Sequence, residues 1–129
     1  MSLRFLIVDD DESVAKSIMR TLRRPFPDAY CAYAEDGPKA LSLLDTNDPF
    51  DVVISDFMMP GMNGADLLQE IARRGSSAAF ILCSGGAPGF TDEQIHAQCP
   101  SRTSFVGKPF DINDLIAAVR VAMRVVLSA

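Results

Sequence analysis

Five polar residues stand where short apolar runs of this sequence end. Asp9 and Asp10 follow Phe5 to Val8, Asp56 follows Val52 to Ile54, Ser84 follows Ala79 to Cys83, and Lys108 follows the short run 104–106. If those runs are parallel strands, their carboxyl ends share one edge of a sheet, where ligands bind in open α/β folds. Carboxylates converging at such an edge repel one another unless a proton or cation intervenes. Donors that are all oxygen suit Mg²⁺, a hard ion that keeps several waters and takes one or two carboxylates. A lysine and a serine hydroxyl beside that ion would make the place attractive to a dianionic phosphoryl group. An aspartate between them can be the nucleophile, forming an acyl phosphate. Each residue alone has a plain reading: Asp9, Asp10 and Asp11 as helix-start acids, Ser84 as a strand-end hydroxyl, Lys108-Pro109 as a turn. Their convergence favours chemistry.

The elements that would position them alternate along the chain. The run 4–8 reads as a buried strand, and from Val14 a helical stripe follows, Val14, Ala15, Ile18, Met19 and Leu22, stopped by Pro25 and Pro27. Residues 29–34 form a plausible second strand. Asp36-Gly37-Pro38 opens a second helix to about Leu44, and Asn47-Asp48-Pro49 leads to the central strand. A Pro60-Gly61 turn and Gly64 precede a third helix reaching about Arg74, with Leu67, Leu68 and Ile71 inward. After the strand 79–83 comes the breaker-rich loop Gly85-Gly86-Ala87-Pro88-Gly89. That loop is expected to be mobile, with Gly85 allowing close backbone approach to a phosphoryl group. Thr91 and Gln94 predict a capping box for a short helix ending before Pro100. Asp111 is placed to cap a last helix with an inner stripe of Ile112, Leu115, Ile116, Val119, Ala122, Met123 and Val126. Its second apolar stripe, Ala118, Val121 and Val125, points to contact with another subunit, a partner or a continuing chain. Five strands alternating with five helices predict an α/β fold: a doubly wound (βα)5 three-layer sandwich around a parallel sheet.

Composition fits one domain over residues 1–129, with 48% hydrophobic and 22% charged residues. The net charge of −5 argues against nonspecific binding to nucleic acid or an anionic membrane. No apolar run approaches the roughly 20 residues of a membrane span, and no signal peptide opens the chain. Cys31, Cys83 and Cys99 are odd in number and scattered, so reduced thiols in a cytoplasmic protein are expected.

Phe5-Leu-Ile-Val-Asp9-Asp10-Asp11-Glu12, Asp56-Phe-Met-Met-Pro60-Gly-Met-Asn-Gly64, Ser84 and Phe105-Val-Gly-Lys108-Pro109-Phe110 together resemble the receiver domain of two-component response regulators, the CheY-like family. The likeness covers essentially the whole chain. It implies a flavodoxin-like sheet of order 2-1-3-4-5 and a phosphoacceptor role for Asp56. Mg²⁺ would be ligated by Asp10, Asp56 and the backbone carbonyl of Met58, with Asp9 acting mainly through a metal-bound water. Ser84 and Lys108 would hold phosphoryl oxygens, and the Lys108–Pro109 peptide would be cis. The phosphodonor would be a phosphohistidine of a histidine kinase or histidine phosphotransfer protein. Phosphorylation would draw Ser84 toward the phosphate and Phe105 inward, reshaping the face of helix four, strand five and helix five. A homodimer through that face is a further expectation, without direct nucleic-acid or membrane binding. No output domain is expected within the chain, which would be a switch rather than a conventional enzyme.

Some residues depart from the family's usual pattern. Met58 and Gly86 occupy the two positions that tune phosphoryl lifetime, and neither can orient an attacking water, so self-dephosphorylation should be slow. Phe105 lacks a tyrosine hydroxyl, leaving packing alone to drive any switch, unless it is plain core. His96 is expected to be solvated, and Met58, Met59 and Met62 to pack under a loop.

Two alternatives keep the same site residues. A pseudo-receiver would bind without turning over phosphoryl groups. Asp9-x-Asp11-x-Ser13 also resembles the nucleophile motif of haloacid-dehalogenase-type phosphatases, with Asp9 attacking and Asp11 as acid/base. That superfamily's downstream acidic pair is missing, since only Asp111 and Asp114 follow Lys108. A flavin site fails because acids stand where a phosphate loop would be needed.

Overall fold

Strands β1 (Arg4–Val8), β3 (Val52–Asp56) and β4 (Ala79–Ser84) carry side chains that are almost all buried. A central parallel strand covered on both faces needs this, which is why these runs do not alternate with polar residues. In the computed structural model, which describes residues 2–46 and 48–128 (side chains through Arg124), they join β2 (Tyr30–Ala34) and β5 (Thr103–Gly107). The sheet is five-stranded and parallel, in the order β2-β1-β3-β4-β5. This is the flavodoxin-like order expected from the resemblance.

Alternate strand residues feed two cores, one on each face. Leu6, Val8, Val53, Phe80 and Leu82 pack with residues of α2 (Gly37–Thr46), α3 (Gly64–Arg73) and α4 (Asp92–Gln98). Phe5, Ile7, Val52, Ile54 and Ile81 pack with Ala15, Ile18 and Leu22 of α1 (Glu12–Arg23) and with Leu115, Val119 and Ala122 of α5 (Ile112–Ser128). The third layer is therefore built by α1 and α5.

Helix starts follow their caps. Asp11 accepts from the Ser13 and Val14 amides, at 2.9 and 3.4 Å. Thr91 and Gln94 form the expected reciprocal box on α4, at 3.1 and 2.8 Å. The Asp114 amide donates to Asp111 at 2.8 Å. Among the described residues, no helix is long and apolar enough to cross a membrane.

The last helix differs in part from its sequence reading. Leu115, Val119 and Ala122 are buried, but Ile112 is 60% exposed. It lies one turn ahead of Leu115 and lines an open cleft against Ser17, Arg20 and Thr21 of α1 instead of the sheet. In the second stripe Val121 is exposed, whereas Ala118 packs against the core. Asn47 and the side chains of Val125 and Val126 lie outside what the structure describes.

Candidate functional site

The β1 and β3 ends meet because Val8 pairs with Ser55, one residue short of Asp9 and Asp56. Carboxylate oxygens of Asp9, Asp10 and Asp56 all lie within 4.8 Å of one another. Asp9 is 2% exposed, and both of its oxygens are engaged: Oδ1 by the Asp11 amide at 2.9 Å, Oδ2 by the Lys108 ammonium at 3.3 Å. Lys108 also reaches Asp56 Oδ1 at 3.2 Å. Asp10 faces solvent.

Burial pushes the Asp56 carboxyl above its ordinary value; Lys108 pulls it down, and Asp9 and Asp10 push it further up. Burial alone would depress the Lys108 ammonium, but its attraction to Asp56 and Asp9 outweighs this and raises its pKa. Three carboxylates thus face one ammonium, leaving formal negative charge that a hard divalent cation with oxygen ligands would compensate. The donor set fits Mg²⁺.

Lys108 is delivered by the turn after β5. Its amide donates to the Ser84 carbonyl at 2.9 Å, and its peptide bond to Pro109 is cis. A Cβ on Gly85 would come within 3.0 Å of Lys108 Cβ. The absence of a side chain at Gly85 thus lets its backbone pack closely against the stem and backbone of Lys108, beside the acidic edge. Ser84 ends β4, and its hydroxyl oxygen is buried with no hydrogen-bond partner among the described residues. Buried hydroxyls are seldom left without a partner, so this one is a candidate for a bound group to engage. Ser84 lies on a cavity of about 230 Å³ that it shares with Ile95, His96, Phe105 and Val106.

Gly64 sits under the acceptor. Its amide donates to the Phe57 carbonyl at 2.9 Å, and a Cβ there would fall 2.2 Å from the Asp56 carbonyl oxygen and 2.8 Å from Leu82. Backbone cannot yield as a flexible side chain can, so Gly64→Ala is expected to cost about 3 kcal/mol, read as a lowered urea midpoint.

One residue at this edge, Tyr33, had given no sign in the sequence. The Tyr33 hydroxyl donates to the Asp9 carbonyl at 2.8 Å, fastening the acidic turn to β2. Only the β1–β2 register, with Tyr33 opposite Ile7, brings it there. Cys83 pairs with Asp56 across the sheet, and burial pushes its thiol up to about 12, against the pull of Lys108. Cys83 therefore stays protonated and does not compete with Asp56 as a nucleophile. His96 is not simply solvated: its ring stacks on Phe105, with centroids 3.7 Å apart and planes 20° from parallel. Phe105 is 37% exposed, turned outward and not core. Met59 is buried and Met62 packs against the core, whereas Met58 is 48% exposed at the rim.

A sequence profile of the response regulator receiver domain matches residues 5–120, nearly the whole chain. The chain belongs to this family. It is 30% identical over 124 residues to a response regulator MprA of a Mycobacterium species (strain KMS), covering 96% of this chain and 52% of that protein. The receiver domain thus spans about half the length of the curated relatives it matches. Among solved structures, a two-component transcriptional regulator from Clostridium phytofermentans superposes with a TM-score of 0.86 at 26% identity, covering 98% of this chain and 97% of that one. The signal receiver domain of an HD domain-containing protein from Pseudomonas fluorescens gives 0.82 at 28% identity, covering 98% and 90%.

Proposed function

We propose that this receiver domain is a phosphoryl-accepting switch of two-component signalling in which Asp56 is the acceptor. The observation that carries the reading is the Lys108 ammonium, placed between Asp9 and Asp56 beside the carboxylate trio. Asp9, Asp10, Asp56 and the Met58 backbone carbonyl would hold Mg²⁺. When bound, that ion supplies positive charge against the phosphoryl oxygens.

The chain's own residues do the rest. Phosphoryl transfer asks mainly for alignment and charge neutralisation. An Asp56 carboxylate oxygen attacks the phosphorus of a phosphohistidine on a histidine kinase or histidine phosphotransfer protein. The P–N bond breaks as the O–P bond forms; the electron pair stays on the imidazole nitrogen, which takes up a proton. Lys108 and the Ser84 hydroxyl bind the arriving oxygens, which would give the buried Ser84 oxygen the partner it lacks. Phe105 then turns inward toward the cavity it shares with Ser84, changing the surface of α4, β5 and α5. A partner, or a second copy of the domain, would read the change on that face, where Val121 is also exposed. Three protonated, unpaired thiols suit the cytoplasm, the compartment proposed for it.

The test is intact mass after incubation with a small phosphodonor, with and without Mg²⁺. The expected result is a gain of one phosphoryl group that EDTA prevents. No gain would mean a pseudo-receiver. Met58 and Gly86 offer no polar group to orient water, so hydrolysis of the acyl phosphate is expected to be slow. Met58→Asn, whose amide can orient a water by hydrogen bonds, should shorten the phosphoryl lifetime; an unchanged decay of the mass signal would count against this.

A further inference from the structure

The His96–Phe105 stack is not needed to build the fold. His96 is on the exposed side of α4, and Phe105 projects outward from β5. An outward phenylalanine leaves apolar surface in water, and the imidazole covers one face of it at 3.7 Å. The pair itself lines, with Ser84, Ile95 and Val106, the half-open cavity of about 230 Å³. The Phe105 ring thus borders a cavity that Ser84 also lines, and the stack opposes its moving into it.

We propose that His96 is a positioning residue that holds Phe105 outward, so that phosphoryl binding at Asp56 must break the His96–Phe105 stack. The inference rests on the phosphoryl-switch reading above. A ligand shifts a two-state equilibrium only through its differential affinity for the two states. Any contact made only in the outward state thus lowers the apparent affinity of the site for phosphoryl groups. An aromatic stack of this kind sets the loss at roughly three- to tenfold.

The test measures the affinity of the full chain for beryllofluoride with Mg²⁺, a stand-in for the phosphoryl group, followed by amide NMR shifts. His96→Ala is expected to bind roughly three- to tenfold more tightly than wild type. His96→Phe, which keeps a stacking ring, should return affinity to near the wild-type value. In a Phe105→Leu background His96→Ala should have no effect, since the stack is already gone. Because His96 is exposed, these variants are expected to fold, and their amide spectra report whether they do. Unchanged affinity in His96→Ala while wild type binds would overturn the latch and leave the switch reading standing. The same gain in both Phe105 backgrounds would also overturn it. No binding by any protein, wild type included, would overturn both readings together.

Discussion

Asp56→Asn is expected to give a protein that takes up no phosphoryl group yet is more stable than wild type in EDTA. The first half follows from the nucleophile: an amide oxygen does not form an acyl phosphate under these conditions. The second follows from burial. The folded state holds the Asp56 carboxyl above its ordinary value, and that direction already includes the attraction of Lys108. Ionised Asp56 therefore costs the metal-free fold free energy, and removing the charge should return roughly 1–2 kcal/mol, a few degrees in Tm. The sign with pH is fixed. A carboxyl whose folded pKa is raised binds its proton more tightly in the folded state than in the unfolded chain. The variant's advantage is then full above that raised value and shrinks as pH falls through it toward the ordinary 3.8. Thermal unfolding of both proteins in EDTA across that range checks it. An advantage growing on acidification would contradict the account.

Lys108→Ala should be damaging in both respects. Its ammonium lies 3.3 Å from Asp9 and 3.2 Å from Asp56, and three-quarters of its side chain is shielded from solvent. Removing it leaves Asp9, 2% exposed, facing two further carboxylates with no cation. Breaking one partner of such a pair costs roughly 2 kcal/mol or more. Because the folded state raises the lysine's pKa, its stabilisation is fully present below about 10.5 and lost only as pH rises through the raised value. Phosphoryl uptake should fall by roughly 10²–10³-fold, the scale for losing one preorganised group that stabilises developing charge. Mass spectra taken over time measure the uptake, and urea unfolding measures the stability. Adding Asp56→Asn to Lys108→Ala should recover part of the stability and none of the uptake. That outcome separates charge repulsion from simple misfolding.

The sheet was legible because its inner strands are continuous apolar runs ending at polar residues, and parallel strands bring those ends to one edge. Asp9, Asp10, Asp56 and Lys108 could be grouped on that basis alone, and they meet within a few ångströms. Contacts set by register or by packing between elements were not legible. Tyr33 reaches the Asp9 carbonyl only through the β1–β2 pairing. His96 looked solvated because nothing in a polar helix face reveals the ring of Phe105 beside it. Ile112 fits the helical stripe of α5 by spacing, yet the helix begins over the α1 cleft, so its first apolar residue stays exposed. The packing of Gly85 against Lys108 is likewise a contact between two strand ends that no local pattern reveals.

The most direct test of the central claim is to locate the bond. The protein is incubated with phosphodonor and Mg²⁺ and then reduced with borohydride, which converts an acyl phosphate, but not a free carboxylate, to an alcohol. Peptide mass mapping should find homoserine at position 56 alone. Reduction at Asp9 would transfer the chemistry to the phosphatase-like alternative, and unmodified Asp9, Asp10 and Asp56 would remove phosphoryl acceptance from this domain.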